Sequence, residues 1–193
     1  MKILNFFIVF LLLGCLARTV IYKPQDENHF IQNQKIYDSI FKHARSGDWL
    51  VTRGYHSGDN LVANATGIPL SHVAIFDREN ELVIESNNKG VHKTALMEFI
   101  DNSYRVLIIR PRWQNETNGM EALENANQLV GKDYDYLGTI GINIPDRYYC
   151  SELAVYIYKK WRSPKEKLPA VIKPSELYLY GTILYDSLPR DEM

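Results

Sequence analysis

Two apolar, strand-like runs separated by a short polar stretch most constrain the fold of this chain. Residues 71–77 and 81–86 carry Val, Ile and Phe in alternation with other residues, and Arg78, Glu79 and Asn80 lie between them. Strand-like runs with so short an interruption predict an antiparallel β-hairpin. The sheet is therefore expected to contain antiparallel neighbours around this hairpin.

Further elements place helices around the hairpin. Hydrophobic periodicity and turn signals predict strands at 49–52, 104–110 and 182–185, and helices at 30–44, 61–65, 96–100, 117–130, 150–161 and 174–177. Strands do not alternate regularly with long helices, which disfavours a doubly wound parallel sheet. The sequence predicts an α+β fold with a short antiparallel sheet.

Length and charge narrow the class of protein. The 193 residues suffice for one domain with a sizeable core, and the net charge is −1. The chain has no run of Lys and Arg that could form a basic patch, so nucleic acid is not an expected partner.

The N-terminus has the pattern of an export signal. Lys2 precedes an apolar run at 3–13 that is too short to span a bilayer, and Gly14 and Cys15 follow it. This resembles a bacterial lipobox and predicts a signal peptide at 1–14 with lipidation of Cys15, which would anchor an exported protein in the cell envelope. The alternative is a plain secretory peptide with a chance cysteine.

The same pattern divides the chain. Residues 15–30 are then a lipid-anchored tether, and 31–190 form the folded domain. Lipidation would also leave Cys150 as the only free thiol, which fits a catalytic cysteine better than a structural one in an exported protein.

Cys150 stands where an apolar, helix-like run begins. A helix N-terminus or a neighbouring imidazolium favours the reactive thiolate, and the backbone amides there can stabilise an oxyanion. The alternative is that Cys150 is a small buried hydrophobic residue.

His72 on the first hairpin strand is the candidate partner of this thiol. With an even-numbered turn, Ala74 pairs with Glu85, and Glu85 becomes the diagonal neighbour of His72 on one face. With a three-residue turn Glu85 moves to the other face, which leaves Asn87 as the fallback orienting group. The alternatives are that His72 is a hydrogen-bonded histidine at the start of a strand and that Glu85 is a charged residue on the surface.

No other pattern in the sequence indicates a bound metal or cofactor. The remaining histidines lack a second ligand at metal-binding spacing, and the chain has no phosphate-cradling glycine motif. These histidines are His29, His43, His56 and His92. We therefore expect neither a metal nor a cofactor.

An ordered set of short motifs resembles the circularly permuted NlpC-type papain-like proteins, in the YiiX-like branch. The resemblance covers residues 45–187. Its motifs are Gly47-Asp48-Trp49-Leu50-Val51, Ser71-His72-Val73-Ala74-Ile75, Val83-Ile84-Glu85-Ser86, Gly90-Val91, Gly131-Lys132-Asp133-Tyr134-Asp135, Tyr149-Cys150-Ser151-Glu152-Leu153 and Lys173-Pro174-Ser175-Glu176-Leu177. It implies a permuted papain-like core with a barrel-like sheet, in which the His strand precedes the Cys helix.

The resemblance also implies roles. Cys150 would be the nucleophile, His72 the general base and Glu85 the orienting group, while Tyr149 and Tyr134 are candidates for the substrate cleft. Which tyrosines line the cleft stays open.

Three functions follow as hypotheses. The first is a thiol amidohydrolase acting on cell-wall peptides or small N-acyl amino acids. The second is a lipid acyltransferase or lipase with the same triad, although the sequence shows no lid rich in Leu and Phe beyond the signal. The third is a non-catalytic binding module.

Overall fold

A computed structural model describes residues 20–56, 58–60, 63 and 69–193. The predicted signal peptide and the lipidation site Cys15 lie outside the described residues. So does the helix expected at 61–65, except for Ala63. No helix within the described ranges is long and apolar enough to cross a bilayer.

Six strands form one antiparallel sheet in the order β4-β3-β2-β1-β5-β6. The strands are β1 (Trp49–Gly54), β2 (His72–Asp77), β3 (Leu82–Asn87), β4 (Gly90–Ala95), β5 (Ser103–Pro111) and β6 (Gly181–Asp186). The predicted α+β class is confirmed. Among the described residues the sheet is open, because β4 and β6 are its two edges and do not pair with each other.

In the part of the chain that the structure describes, α-helices with defined bounds pack around the sheet. They are α1 (Glu27–His43), α2 (Leu96–Asp101), α3 (Gly119–Gln128) and α4 (Cys150–Tyr156). Short 3₁₀ helices lie at Gly138–Ile140, Lys159–Trp161, Pro174–Tyr180 and Arg190–Glu192. Helix α4 stops at Tyr156, earlier than the predicted 161, and a 3₁₀ turn follows.

Helix α1 begins three residues before the predicted start. The Asp26 carboxylate accepts a hydrogen bond from the His29 backbone N–H at 2.9 Å, which is an N-cap contact. The first turn of α1 therefore lies within the segment that was expected to act as a tether.

The sheet separates two hydrophobic clusters. Val73 and Ile75 face α3 and α4, whereas Ala74 and Phe76 face α1 and α2. This is the alternation that the sequence of β2 predicts, and it shows that the strand is buried on both faces.

Strand β4 is the element that the sequence prediction missed. Gly90 has φ +81°, a conformation that glycine adopts readily, and it closes a tight turn after Asn87. Exposed and half-buried side chains then alternate along the strand, as expected for an edge. The pairing places His92 directly opposite Glu85.

Candidate active site

The hairpin of β2 and β3 has the register that an even-numbered turn predicts. Ala74 pairs with Glu85 and Phe76 with Val83. The pairs between the two strands end at Ala74 and Glu85, so His72 lies beyond the last pair. Its imidazole can therefore turn toward Glu85, which lies one step away on the diagonal.

His72 and Glu85 form a short hydrogen bond. Nε2 of His72 lies 2.6 Å from Oε2 of Glu85, and both side chains are mostly buried. Asn87, the fallback orienting group, instead lies 3.5 Å from Nε2 of His92. The bond to Nε2 leaves Nδ1 of His72 as the ring nitrogen available to another partner.

The Cys150 side chain is the second partner of His72, because interactions with both Cys150 and Glu85 act on the pKa of this imidazole. Burial, the largest single influence, lowers the pKa of His72. Hydrogen bonds and charge interactions with Cys150 and Glu85 together outweigh it and hold the pKa well above its usual value. The imidazole of His72 therefore lies between the Glu85 carboxylate and the Cys150 side chain, and it holds its proton more readily than a free imidazole.

Glu85 has three donors around its two oxygens. In addition to His72, Oε1 accepts a hydrogen bond from the Thr94 hydroxyl and lies 3.4 Å from Nε2 of His92. Burial, the largest influence, raises the pKa of Glu85, but the bonds from His72, His92 and Thr94 outweigh it and hold the pKa well below its usual value. Glu85 is therefore held ionised in a site with little water.

Cys150 is the first residue of α4 and is only 7% exposed. Two hydroxyl groups fix the chain on either side of it. The Ser86 hydroxyl donates to the Tyr148 carbonyl at 2.6 Å, and the Ser151 hydroxyl donates to the Ile172 carbonyl at 2.6 Å. The first of these bonds ties the start of α4 to β3, which brings the thiol to the end of the hairpin.

The two candidate tyrosines have different surroundings. The Tyr149 hydroxyl accepts a hydrogen bond from the Ile172 backbone N–H at 3.1 Å, and burial raises the pKa of this phenol to about 12. Tyr134 is half-buried; burial first, and then the nearby Cys150, raise its pKa. Both tyrosines therefore lie near Cys150.

A buried carboxylate shapes the loop between α3 and α4. Asp135 is fully buried and accepts hydrogen bonds from the backbone N–H groups of Gly138 at 2.8 Å and Ile144 at 2.9 Å. The same loop is joined to β4, because the Val91 N–H donates to the Lys132 carbonyl at 2.8 Å. These contacts hold Tyr134 beside the thiol.

Sequence reasoning did not identify His92, Thr94 or Asp135 as parts of this region. A signal for the first two was present. A two-residue turn after Asn87 would have placed them on the same face as Glu85, by the alternation used for the first hairpin. Nothing in the local pattern indicates that Asp135 is buried.

Comparison with known proteins gives a family match over most of the chain. Residues 29–176 match the family described as permuted papain-like amidase enzyme, YaeF/YiiX, C92 family. A search of the curated proteins gave no match.

A solved structure has a similar fold. It is the crystal structure of the metalloprotein yiiX from Escherichia coli O157:H7, with a TM-score of 0.51 and 22% identity over 60% of this chain. The similarity covers 65% of that chain, slightly less than two thirds of its length. In the described residues, no group of three or more His, Cys, Asp or Glu side chains could hold a metal ion.

Proposed function

This chain belongs to the permuted papain-like amidase family, a family of cysteine amidohydrolases, and we propose that Cys150, His72 and Glu85 are its catalytic triad. The observation that carries the proposal is the chain of contacts from Glu85 through His72 to the thiol. Nucleophile, base and orienting group within mutual reach are the signature of a nucleophilic hydrolase.

The proposed reaction begins with transfer of the Cys150 proton to His72. The thiolate attacks the amide carbonyl and forms a tetrahedral intermediate. His72 then donates the proton to the leaving amine as the C–N bond breaks, which leaves a thioester. Water, deprotonated by His72, attacks the thioester, and breakage of the C–S bond releases a carboxylic acid and restores the thiol. Glu85 stabilises the imidazolium at each stage.

We further propose an envelope substrate, either a cell-wall peptide or a small N-acyl amino acid. The support is the signal-like N-terminus with Cys15, which as a lipidated residue would keep the domain at a bacterial membrane. Tyr134 beside the thiol offers an aromatic surface and a hydroxyl for substrate binding.

A second candidate is acyl transfer or hydrolysis on a lipid by the same three residues. The observation that favours it is a set of exposed apolar side chains close in sequence to the site, which could receive an acyl chain. They are Tyr136, Leu137, Ile140 and Ile142. A lipid-directed enzyme would need a surface of this kind, and the sequence prediction did not identify it.

One experiment distinguishes these reactions. The full chain in detergent is incubated with muropeptides, with N-acyl amino acids and with phospholipid, and compared with Cys150→Ala. Amide cleavage that falls by roughly three or more orders of magnitude in the variant supports the amidase. Cysteine-dependent deacylation of phospholipid alone supports the second candidate.

Labelling of the thiol provides the control. Iodoacetamide at neutral pH is expected to modify Cys150, because His72 beside the thiol can accept its proton during the reaction. Turnover of none of the three substrates, together with a thiol that resists labelling, would show that neither reaction occurs.

A further inference from the structure

The loop before α4 presents an unusual apolar surface to solvent. Tyr136 is 61% exposed, Ile140 69% and Ile142 56%, and Leu137 beside them is also exposed. No charged residue occurs from 136 to 145. We call Tyr136, Leu137, Ile140 and Ile142 the apolar loop. Grouped apolar side chains of this kind mark an interaction surface.

The apolar loop lies at the end of the sheet that holds the proposed triad. In an antiparallel sheet the start of β2, with His72, and the start of β4, with Gly90, are at the same end. The Gly131 N–H donates to the Val91 carbonyl at 2.8 Å, which attaches the loop that contains these residues to that end.

The N-terminal segment leaves the fold at this same end. Lys23 forms an ion pair with Asp101, just before β5 begins, and the Ile21 N–H donates to the Asn60 side chain at 3.3 Å, just after β1 ends. The first described residues, Val20 and Tyr22, are also exposed and apolar, at 43% and 82%.

The short stretch of chain between Cys15 and Val20 limits the distance between a lipid on Cys15 and this end of the fold. Val20 is the fifth residue after Cys15. A fully extended chain spans at most about 3.6 Å per residue, so a lipid on Cys15 lies within roughly 18 Å of Val20. If Cys15 carries the lipid, as proposed above, the anchor would hold this end of the molecule, and not the opposite one, at the bilayer.

We propose that the apolar loop inserts into the surface of a lipid bilayer, so that the proposed triad faces the membrane. This inference rests on the membrane anchoring given above as part of the proposed function. Exposed Ile, Leu and Tyr side chains are those that favour the bilayer interface. The site would then act on bonds that lie at the bilayer surface.

The charges around the apolar loop indicate whether its binding depends on the charge of the lipids. Lys132 lies 3.4 Å from Asp146, and Arg147 lies 3.5 Å from Asp133, so the two cations that flank the apolar loop in sequence are paired with acids. Docking is therefore expected to depend on apolar insertion, with little dependence on anionic lipid or on salt.

The test places a photoreactive benzoylphenylalanine at residue 140 of the full chain bound to phosphatidylcholine vesicles. The matched control is residue 179, because Leu179 is also exposed, at 57%, and precedes β6 at the opposite end of the sheet. The yield of lipid adducts at residue 140 is expected to be at least about ten times the yield at residue 179. Adding phosphatidylserine should leave this ratio unchanged.

Equal lipid adducts at the two positions, or none at 140, would overturn the proposal. Adducts at 140 to protein alone would overturn it too, because they would make the loop a protein interface. The readout needs no turnover, so an inactive enzyme and an undocked loop are separate results. The variant carrying Ile140→Asn and Ile142→Asn should keep the melting temperature and lose the loop's protection from hydrogen exchange on vesicles.

Discussion

The Glu85 carboxylate has more donors around it than an orienting group needs. His72 bonds one oxygen at 2.6 Å, while Thr94 and His92 share the other. Nδ1 of His92 lies 2.9 Å from the Gly90 carbonyl, so a protonated His92 can donate from both nitrogens. Two imidazoles then compete for one carboxylate, and the pKa of His72 depends on both neighbours.

Removing the charge of Glu85 should move the pH profile toward lower pH. The pKa of His72 lies well above 6.5 with Glu85 among its causes, so the imidazolium persists until the pH rises through that raised pKa. Glu85→Gln lowers the pKa of His72, and the alkaline limb moves down while kcat/KM falls by roughly 10²-fold. The pH dependence of kcat/KM for the amide substrate provides the measurement. Glu81→Gln, at the turn end of the hairpin, should leave the profile unchanged.

Removing His92 should shift the profile in the opposite direction. The hydrogen bond with Glu85 is the main cause of the raised pKa of His92. Among neighbouring charges, Lys89 opposes protonation. His92→Gln leaves more of the Glu85 charge to His72, so the pKa of His72 and the alkaline limb rise. NMR titration of the His72 ring provides the measurement. Lys93→Gln, on the exposed part of β4, serves as the control, and a downward shift in His92→Gln would contradict the competition.

Among the elements, β4 determines both the surroundings of Glu85 and the position of the loop before α4. Its first residue, Gly90, packs so closely on that loop that an added Cβ would lie 2.4 Å from the Lys132 carbonyl oxygen. Its second residue, Val91, exchanges two backbone hydrogen bonds with Gly131 and Lys132. The loop that borders the thiol is therefore set by the edge strand.

Gly90→Ala should destabilise the fold more than Gly131→Ala. Both residues have positive φ, at +81° and +92°, but an added Cβ at Gly131 meets nothing within 4 Å. The strain of positive φ is common to the two variants, so their difference isolates the contact with Lys132. We expect a difference of about 2 kcal/mol in the free energy of unfolding. Urea denaturation measures this difference. Equal losses of stability in the two variants would show that the loop moves to accommodate the added Cβ at little cost.

At the scale of the whole molecule, the C-terminal segment holds α1 against the sheet. The Arg190 guanidinium is buried and donates to the Ser103 carbonyl at 2.7 Å, the Ile100 carbonyl at 2.8 Å and the Asn33 side chain at 2.6 Å. One side chain thus joins α1, α2 and β5. Arg190 lies beyond residue 176, where the family match ends.

Loss of Arg190 should therefore lower stability substantially. Arg190→Met removes a buried donor from three acceptors, and we expect a loss of about 2–4 kcal/mol in the free energy of unfolding. Lys160→Met, which removes an exposed ion pair with Glu121, should cost less than about 1 kcal/mol. Thermal melting of both variants compares them, and similar melting temperatures would contradict the proposed clamp.

The sequence by itself determined what is local. Alternation along β2 and β3 with an even-numbered turn was enough to predict that Glu85 lies beside His72, because pairing within a hairpin depends only on neighbouring residues. The start of a helix at Cys150 was also readable from its apolar run.

Only the tertiary structure decided what joins distant segments. The bond from Ser86 to Tyr148 brings α4 to the hairpin, and the burial of Asp135 folds the intervening loop. The same packing leaves Ile140 exposed although its neighbour Gly138 is buried. Apolar periodicity predicts which side chains can be buried, but whether a given one is covered depends on which elements pack against it. That is why the apolar loop emerges only from the folded chain.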